Sequence, residues 1–278
     1  MAISILFIVA FLYLTASIFI GSYLRSLSLL YLRMARWILG MGVVIQWIFL
    51  IAEFLSLGSL QRSSLVMSHL SFTAIAALLI FILCIQKRAL PVLLIALPAT
   101  AFSLLAFQFY GNSPAKMDLP SVWLWTHIAL MILGEVMFFL AAATGIAYLV
   151  AARQLRLRRG ASVFTTMASL PNLDFLLGRL LVIGVYLLSF GILLGFFFAE
   201  KFWTGKWWLD AGVLFAGFTW CVYLFLLIMR QIDPSFRGRK SAIAAIWSFL
   251  LVAVLSMGIN YIFHTRHEQL KVDVSESE

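Results

Sequence analysis

The sequence predicts an all-α integral membrane protein: a bundle of eight transmembrane helices with both termini extracytoplasmic. Three observations carry this expectation. Of the 278 residues 64% are hydrophobic and only 11% charged, with a mean hydropathy of +1.05, which leaves too little polar side chain to cover a water-facing surface. Eight apolar runs, at residues 2–23, 37–57, 66–86, 89–110, 122–152, 177–199, 210–230 and 241–264, are each long enough to cross a ~30 Å hydrocarbon core as a helix. They are too long and too continuous to be barrel strands. Finally, 13 of the 20 lysines and arginines fall in the connections after runs 1, 3, 5 and 7, six fall on the other side, and Arg179 stands at the start of run 6. Basic residues gather on the cytoplasmic side, so a multi-pass protein of the cytoplasmic (inner) membrane is expected. Residues 1–264 read as one domain, and 265–278 as a short polar, disordered tail.

Taken in order, run 1 opens Met1-Ala2-Ile3-Ser4, without a basic start or a small-residue cleavage pattern near Gly21, and reads as a retained helix. Run 2 contains Gln46 and Glu53, the latter about one turn from the outer end and within reach of headgroup water. Run 3 opens with Ser68 and His69 at the outer surface. Run 4 is bounded by Pro91 and should bend at Pro98, where a backbone donor is lost. The turn-rich stretch 111–120 leads to Trp123, Trp125 and His127 at the start of run 5. Glu135 lies eight residues deeper, about 12 Å along a helix. A carboxyl at that depth is protonated or paired, and both a structural hydrogen bond and a proton or ligand role fit. Run 8 ends at Gly258 and Asn260, followed by His264 and His267.

Several function classes are excluded by the same reading. The net charge of +9 is spread over four short cytoplasmic connections, which suits orientation and contact with anionic membrane lipids; no nucleic acid is implied. Cys84 and Cys221 lie far apart in runs 3 and 7 with no C-x-x-C, against thiol–disulfide chemistry. Two classes stay open: a small-molecule transporter without stable haem, although the related halves of a secondary transporter are not visible between 1–130 and 131–264, and a structural or regulatory membrane subunit, which would need neither the histidines nor the tryptophans.

The most informative stretch is 199–210, between runs 6 and 7. It holds Trp203, Trp207 and Trp208, three of the nine tryptophans, with Lys201, Lys206, Glu200 and Asp210. Tryptophan is enriched at membrane interfaces in any case, but flat aromatic surface beside charge also suits a planar, amphipathic ligand. Trp203, Trp207 and Asp210 fall as in the pattern W-G-x-x-W-x-W-D, and Gly191, Gly195 and Ala199 form a G-x-x-x-G-x-x-x-A run before it. In these features the chain resembles the cytochrome c assembly family of the CcsA, CcmC and HemX type, whose tryptophan-rich "WWD" motif they match. Thr204 stands where glycine is usual, Leu209 where the last tryptophan is, and Ala211-Gly212-Val213 replaces Pro-Lys-Glu, which points to a HemX-like branch. The resemblance extends over 123–267: an external histidine helix with a basic end, the Pro171 and Asp174 turn, and a G-x-N followed by a histidine, where His264 and His267 both remain open.

The resemblance implies a membrane protein that holds or delivers haem at the extracytoplasmic face for cytochrome c assembly, or a HemX-like regulator of haem biosynthesis. A haem chaperone or transfer component is expected, with no catalytic residues of its own. Non-covalent, b-type haem would take His127 and His267, or His264, as axial ligands, since neutral imidazole binds haem iron. Trp203, Trp207 and Trp208 would lie against the porphyrin, beside Asp210, with His69 as a further contributor. Lys201, Lys206 or Arg266 could pair with the propionates. Four histidines and Asp210 also admit a zinc reading. Any ligation step would need a partner: another cytochrome c maturation membrane protein or an apocytochrome.

Overall fold

The computed structural model describes residues 2–55, 64–85, 89–106, 122–157, 169–202 and 205–262. Eight α-helices account for nearly all of them: α1 Ala2–Ser26, α2 Leu29–Leu55, α3 Ser64–Ile85, α4 Leu90–Ala106, α5 Val122–Arg156, α6 Leu170–Phe202, α7 Ala211–Ile232 and α8 Arg239–Ile262. Short 3-10 turns at Trp207–Leu209 and Pro234–Phe236 lead into α7 and α8. Seven helices are long and apolar enough to cross a membrane; α4 has 17 described residues and carries Pro98 inside it. The expected all-α membrane bundle is therefore what the chain forms.

Helices α1–α4 pack as one group of four and α5–α8 as another, with α3 and α4 joining the groups through α5. One apolar core runs through both, from Leu6 to Val252. Helix α5 is the axis of the second group: residues 136–145 are buried without a break, as befits a helix apolar all round. Its longest contact is with α6. In lipid, where apolar surface alone does not drive helices together, small residues that permit close approach matter most. A Cβ on Gly134 would stand 3.3 Å from the Gly184 carbonyl oxygen, and one on Gly145 would stand 2.8 Å from that of Ala242. In the first group Gly42 gives room to Tyr13, whose hydroxyl donates to Gln46 Oε1 at 2.5 Å; Gln46 Nε2 in turn donates to Thr73 Oγ1 at 2.9 Å. That chain of bonds links α1, α2 and α3 inside the core and satisfies the amide.

Two boundaries and one orientation differ from the sequence expectation. Helix α6 starts at Leu170, not 177, so the stretch through Asp174 is its first turn and not a separate loop; proline is tolerated there because a first-turn amide has no helical partner. Helix α2 starts at Leu29, which places Arg36 inside the helix, where its Nη2 donates to the Cys84 carbonyl at the end of α3 at 3.2 Å. A cation at a helix C-terminus is favourable. Glu53 does not reach outward: it is 5% exposed and shares the buried face of α2 with Gln46, Phe49 and Leu50.

Candidate functional site

The site is built on one face of α6. Gly191, Gly195 and Ala199 recur every four residues and so lie in line along the helix. His127, in the second turn of α5, lays its ring on this line. Its Nδ1 is 2.7 Å from the Gly191 carbonyl oxygen. A Cβ on Gly195 would stand 2.5 Å from the imidazole Cε1 and 2.8 Å from Nδ1, so any larger residue at 195 would push the ring away. Because a carbonyl only accepts, Nδ1 carries the proton and donates, and Nε2 presents its lone pair. A backbone carbonyl holding one ring nitrogen is how a metal-ligating histidine is fixed in tautomer and direction.

One turn further along the line, about 6 Å, Trp207 packs on Ala199 and Val213 and is 8% exposed. Its ring meets Phe196 edge-on at 5.2 Å and Trp208 at 6.0 Å. Trp208 turns outward, at 52% exposed, next to the exposed Lys206. The backbone that presents them is a tight turn. Gly205 has a φ of 73°, a left-handed conformation that suits glycine. The Trp207 amide donates to the Gly205 carbonyl at 2.9 Å and the Asp210 amide to that of Trp207 at 3.1 Å. Asp210 then caps α7, its carboxylate accepting from the Gly212 amide at 2.9 Å. Its place after the tryptophans thus has a local structural cause: it ends the turn and starts the helix.

His69 is held elsewhere. Its Nε2 lies 3.1 Å from the Ser103 carbonyl oxygen and 3.0 Å from Ser103 Oγ on α4, and its ring lies beside Phe72 at 6.0 Å. The ring is partly buried and serves the α3–α4 contact. His264, His267 and Trp203 lie outside the described residues. Among the described residues no three of His, Cys, Asp and Glu gather as a set of metal-ion ligands.

The seat provided by Gly191 and Gly195 was legible in the sequence as a spacing, but its function as a rest for His127 was not. The missing link was the register of α5 against α6. Other groups that sequence reasoning missed are Ser189 and Trp220, whose indole Nε1 donates to Ser189 Oγ at 2.8 Å and ties α7 to α6 just below the site.

Comparison with known proteins bears on all of this. The chain is similar to the cytochrome c biogenesis protein CcsA of Pyropia yezoensis, 26% identical over 215 residues that cover 64% of this chain and 66% of that protein. With its counterpart from Chlamydomonas reinhardtii it is 29% identical over 156 residues, covering 56% and 42%. With that of Prochlorococcus marinus (strain MIT 9312) it is 37% identical over 92 residues, covering 33% and 29%. The chain thus matches less than two thirds of the length of these relatives. No solved structure matches. The model of the family described as "Cytochrome C assembly protein" matches residues 27–267, a span that contains α2 to α8 and every part of the site described above, and the chain belongs to that family.

Proposed function

We propose that this protein works in cytochrome c biogenesis by holding haem at the extracytoplasmic face of the cytoplasmic membrane and presenting it to an acceptor. The observation that carries the reading is His127: an imidazole seated on Gly195 with its Nδ1 proton given to the Gly191 carbonyl, which leaves Nε2 as the nitrogen that could ligate iron. The residues present fit the group. Haem is a flat apolar ring edged by two carboxylates, with an iron that accepts imidazole nitrogen. Trp207 and Trp208 offer aromatic surface at the same end of the bundle, and Lys201 and Lys206 are exposed beside them, suited to the carboxylates. His267 or His264, outside the described residues, would hold the iron together with His127, and His69, bound to Ser103, would at most line the wall. Asp210 acts through the turn it caps. The haem is b-type and non-covalent, and its attachment falls to another maturation component or the apocytochrome itself. Thr204, Leu209 and the replacement of Pro-Lys-Glu by Ala211-Gly212-Val213 support a second reading, a HemX-like regulator of haem biosynthesis that uses the same platform.

The test is the visible spectrum of the full chain purified in detergent from haem-supplied cells, wild type beside His127→Ala. A Soret band with sharp reduced α and β bands in the wild type, lost or strongly weakened in the variant, is the expected result. Colourless wild-type protein, or a His127→Ala spectrum identical to it, sinks the platform.

A further inference from the structure

Below His127, midway through the bundle, lies a group of oxygen atoms that the platform does not use. Tyr223 of α7 is fully buried, and its hydroxyl has no hydrogen-bond partner; Thr219, one turn earlier and 3% exposed, likewise leaves Oγ1 unpartnered. Both face inward on the same side of α7, at four-residue spacing. Glu135 of α5 is half-buried and stands one turn before Phe138, the residue that meets Tyr223. Phe138 stacks flat on the Tyr223 ring, centroids 3.5 Å apart with 4° between the planes, and rests against Gly184 of α6. The depths agree: Glu135 is 13 residues into α5 and Tyr223 12 residues into α7, each about 18–20 Å along its helix. The contrast with the adjacent residue is telling, since Trp220 on the same helix has its indole N–H fully paired.

A buried hydroxyl left without a partner is costly, and two of them at the depth of a carboxyl in the bundle mark a place where water or an ion completes the bonding. An ionisable side chain at this depth is otherwise too costly to keep. We propose that Glu135, Thr219 and Tyr223 form a hydrated proton site inside the bundle. Water bridges the two hydroxyls to the carboxyl, and Glu135 exchanges a proton with it: carboxylate plus hydronium gives carboxylic acid plus water, with no change of oxidation state. The water, held by the phenol and the threonine hydroxyl, donates to the carboxylate and, after protonation, accepts from the acid. Tyr223 is the titratable group that faces Glu135 from α7. The turns of α6 and α8 at that level present Val185, Leu188 and Val252, all apolar. On the far side of α5, α3 contributes Phe72 against Phe139, with His69 one turn away and tied to Ser103; Glu53, on α2, is buried, whereas Glu135 is half-buried. The site stands independently of haem.

Infrared difference spectroscopy of the full chain in lipid nanodiscs, between acidic and alkaline buffer, reads this directly. A carboxylic C=O band that moves down in heavy water is expected in the wild type and in Glu53→Gln. It should vanish in Glu135→Gln and move to higher wavenumber in Tyr223→Phe and in Thr219→Val, since each removes one of the bonds that hold the water against the acid. Circular dichroism and monodisperse elution establish that each variant is folded. If Glu135→Gln fails to fold, Tyr223→Phe, which keeps the stacked ring, decides alone. The proposal is overturned if the band is absent from the wild type, if it is indifferent to both hydroxyl substitutions, or if it responds to sodium at fixed pH, which would make the site one for a metal cation.

Discussion

At the scale of single residues, most of the chemistry depends on where side chains are missing. Gly195 offers the His127 ring a place no other residue could offer, because a Cβ there would stand 2.5 Å from Cε1. Gly217 has nothing within 4 Å of the corresponding position. The two glycines therefore make a matched pair of tests. Gly195→Ala should displace the imidazole and weaken haem binding about 10- to 100-fold, the range seen when groups that orient a metal ligand are lost, while the protein remains folded. Gly217→Ala should leave binding unchanged and, through better helix propensity, gain up to about 1 kcal/mol of stability. Titration of each variant with haem, followed at the Soret band, checks the pair; equal affinities would mean that the seat of His127 is not what orients it. From the sequence, His127 stood out by type and position. Its tautomer did not, because that is set by the Gly191 carbonyl 64 residues away.

At the scale of elements, the end of the bundle opposite the platform is locked by one residue. Arg230, at the end of α7, donates through Nη1 to Asp174 Oδ1 and through Nη2 to Oδ2, each at 2.7 Å, and reaches the Asp174 carbonyl at 2.7 Å and Ser241 Oγ at 2.8 Å. Asp174 also accepts from the Gly238 amide at 2.8 Å, in a turn where Gly238 has a φ of 70°. One forked guanidinium thus joins the start of α6, the end of α7 and the start of α8, with side chains only 10% and 21% exposed. A pair so enclosed is costly to break from one side, by about 3–5 kcal/mol. Arg230→Met should lower stability by that order, and Arg230→Lys should rescue little of it, since an ammonium cannot make the paired contacts. Thermal unfolding in detergent, followed by circular dichroism, measures both; a change under about 1 kcal/mol for Arg230→Met would show that the bonds are dispensable. The sequence reading counted Arg230 among the loop cations and placed Asp174 in a turn. Hydropathy could show neither the early start of α6 nor the pairing, because it registers polar residues as ends of helices even when they are satisfied inside them. The same blindness explains Glu53, assigned to headgroup water and found on the buried face of α2.

At the scale of the whole molecule, hydropathy alone gave the eight helices and nearly all their order, since crossing lipid leaves few other solutions for so apolar a chain. What it could not give was the pairing of α5 with α6, on which the site depends, because packing between helices in lipid follows small residues and close approach. The alternation of helices now makes the placing of charge testable. The starts of α3, α5 and α7 share one end of the bundle with the ends of α2, α4 and α6, as the contacts of His69 with Ser103, Phe54 with Trp125 and His127 with Gly191 require. Trp207 and Lys206 belong to that end, and Arg156 and Arg239 to the other. If basic residues mark the cytoplasmic side, the tryptophan turn faces outward, and the start of α1 and the end of α8 lie at the same end. In a chain with Cys84 and Cys221 replaced by alanine, Lys206→Cys should react with a membrane-impermeant maleimide in intact cells, and Arg156→Cys and Arg239→Cys only after permeabilisation. The opposite pattern would turn the platform towards the cytoplasm, where it could receive newly made haem but not present it to an acceptor outside, and would make the regulatory reading the better of the two.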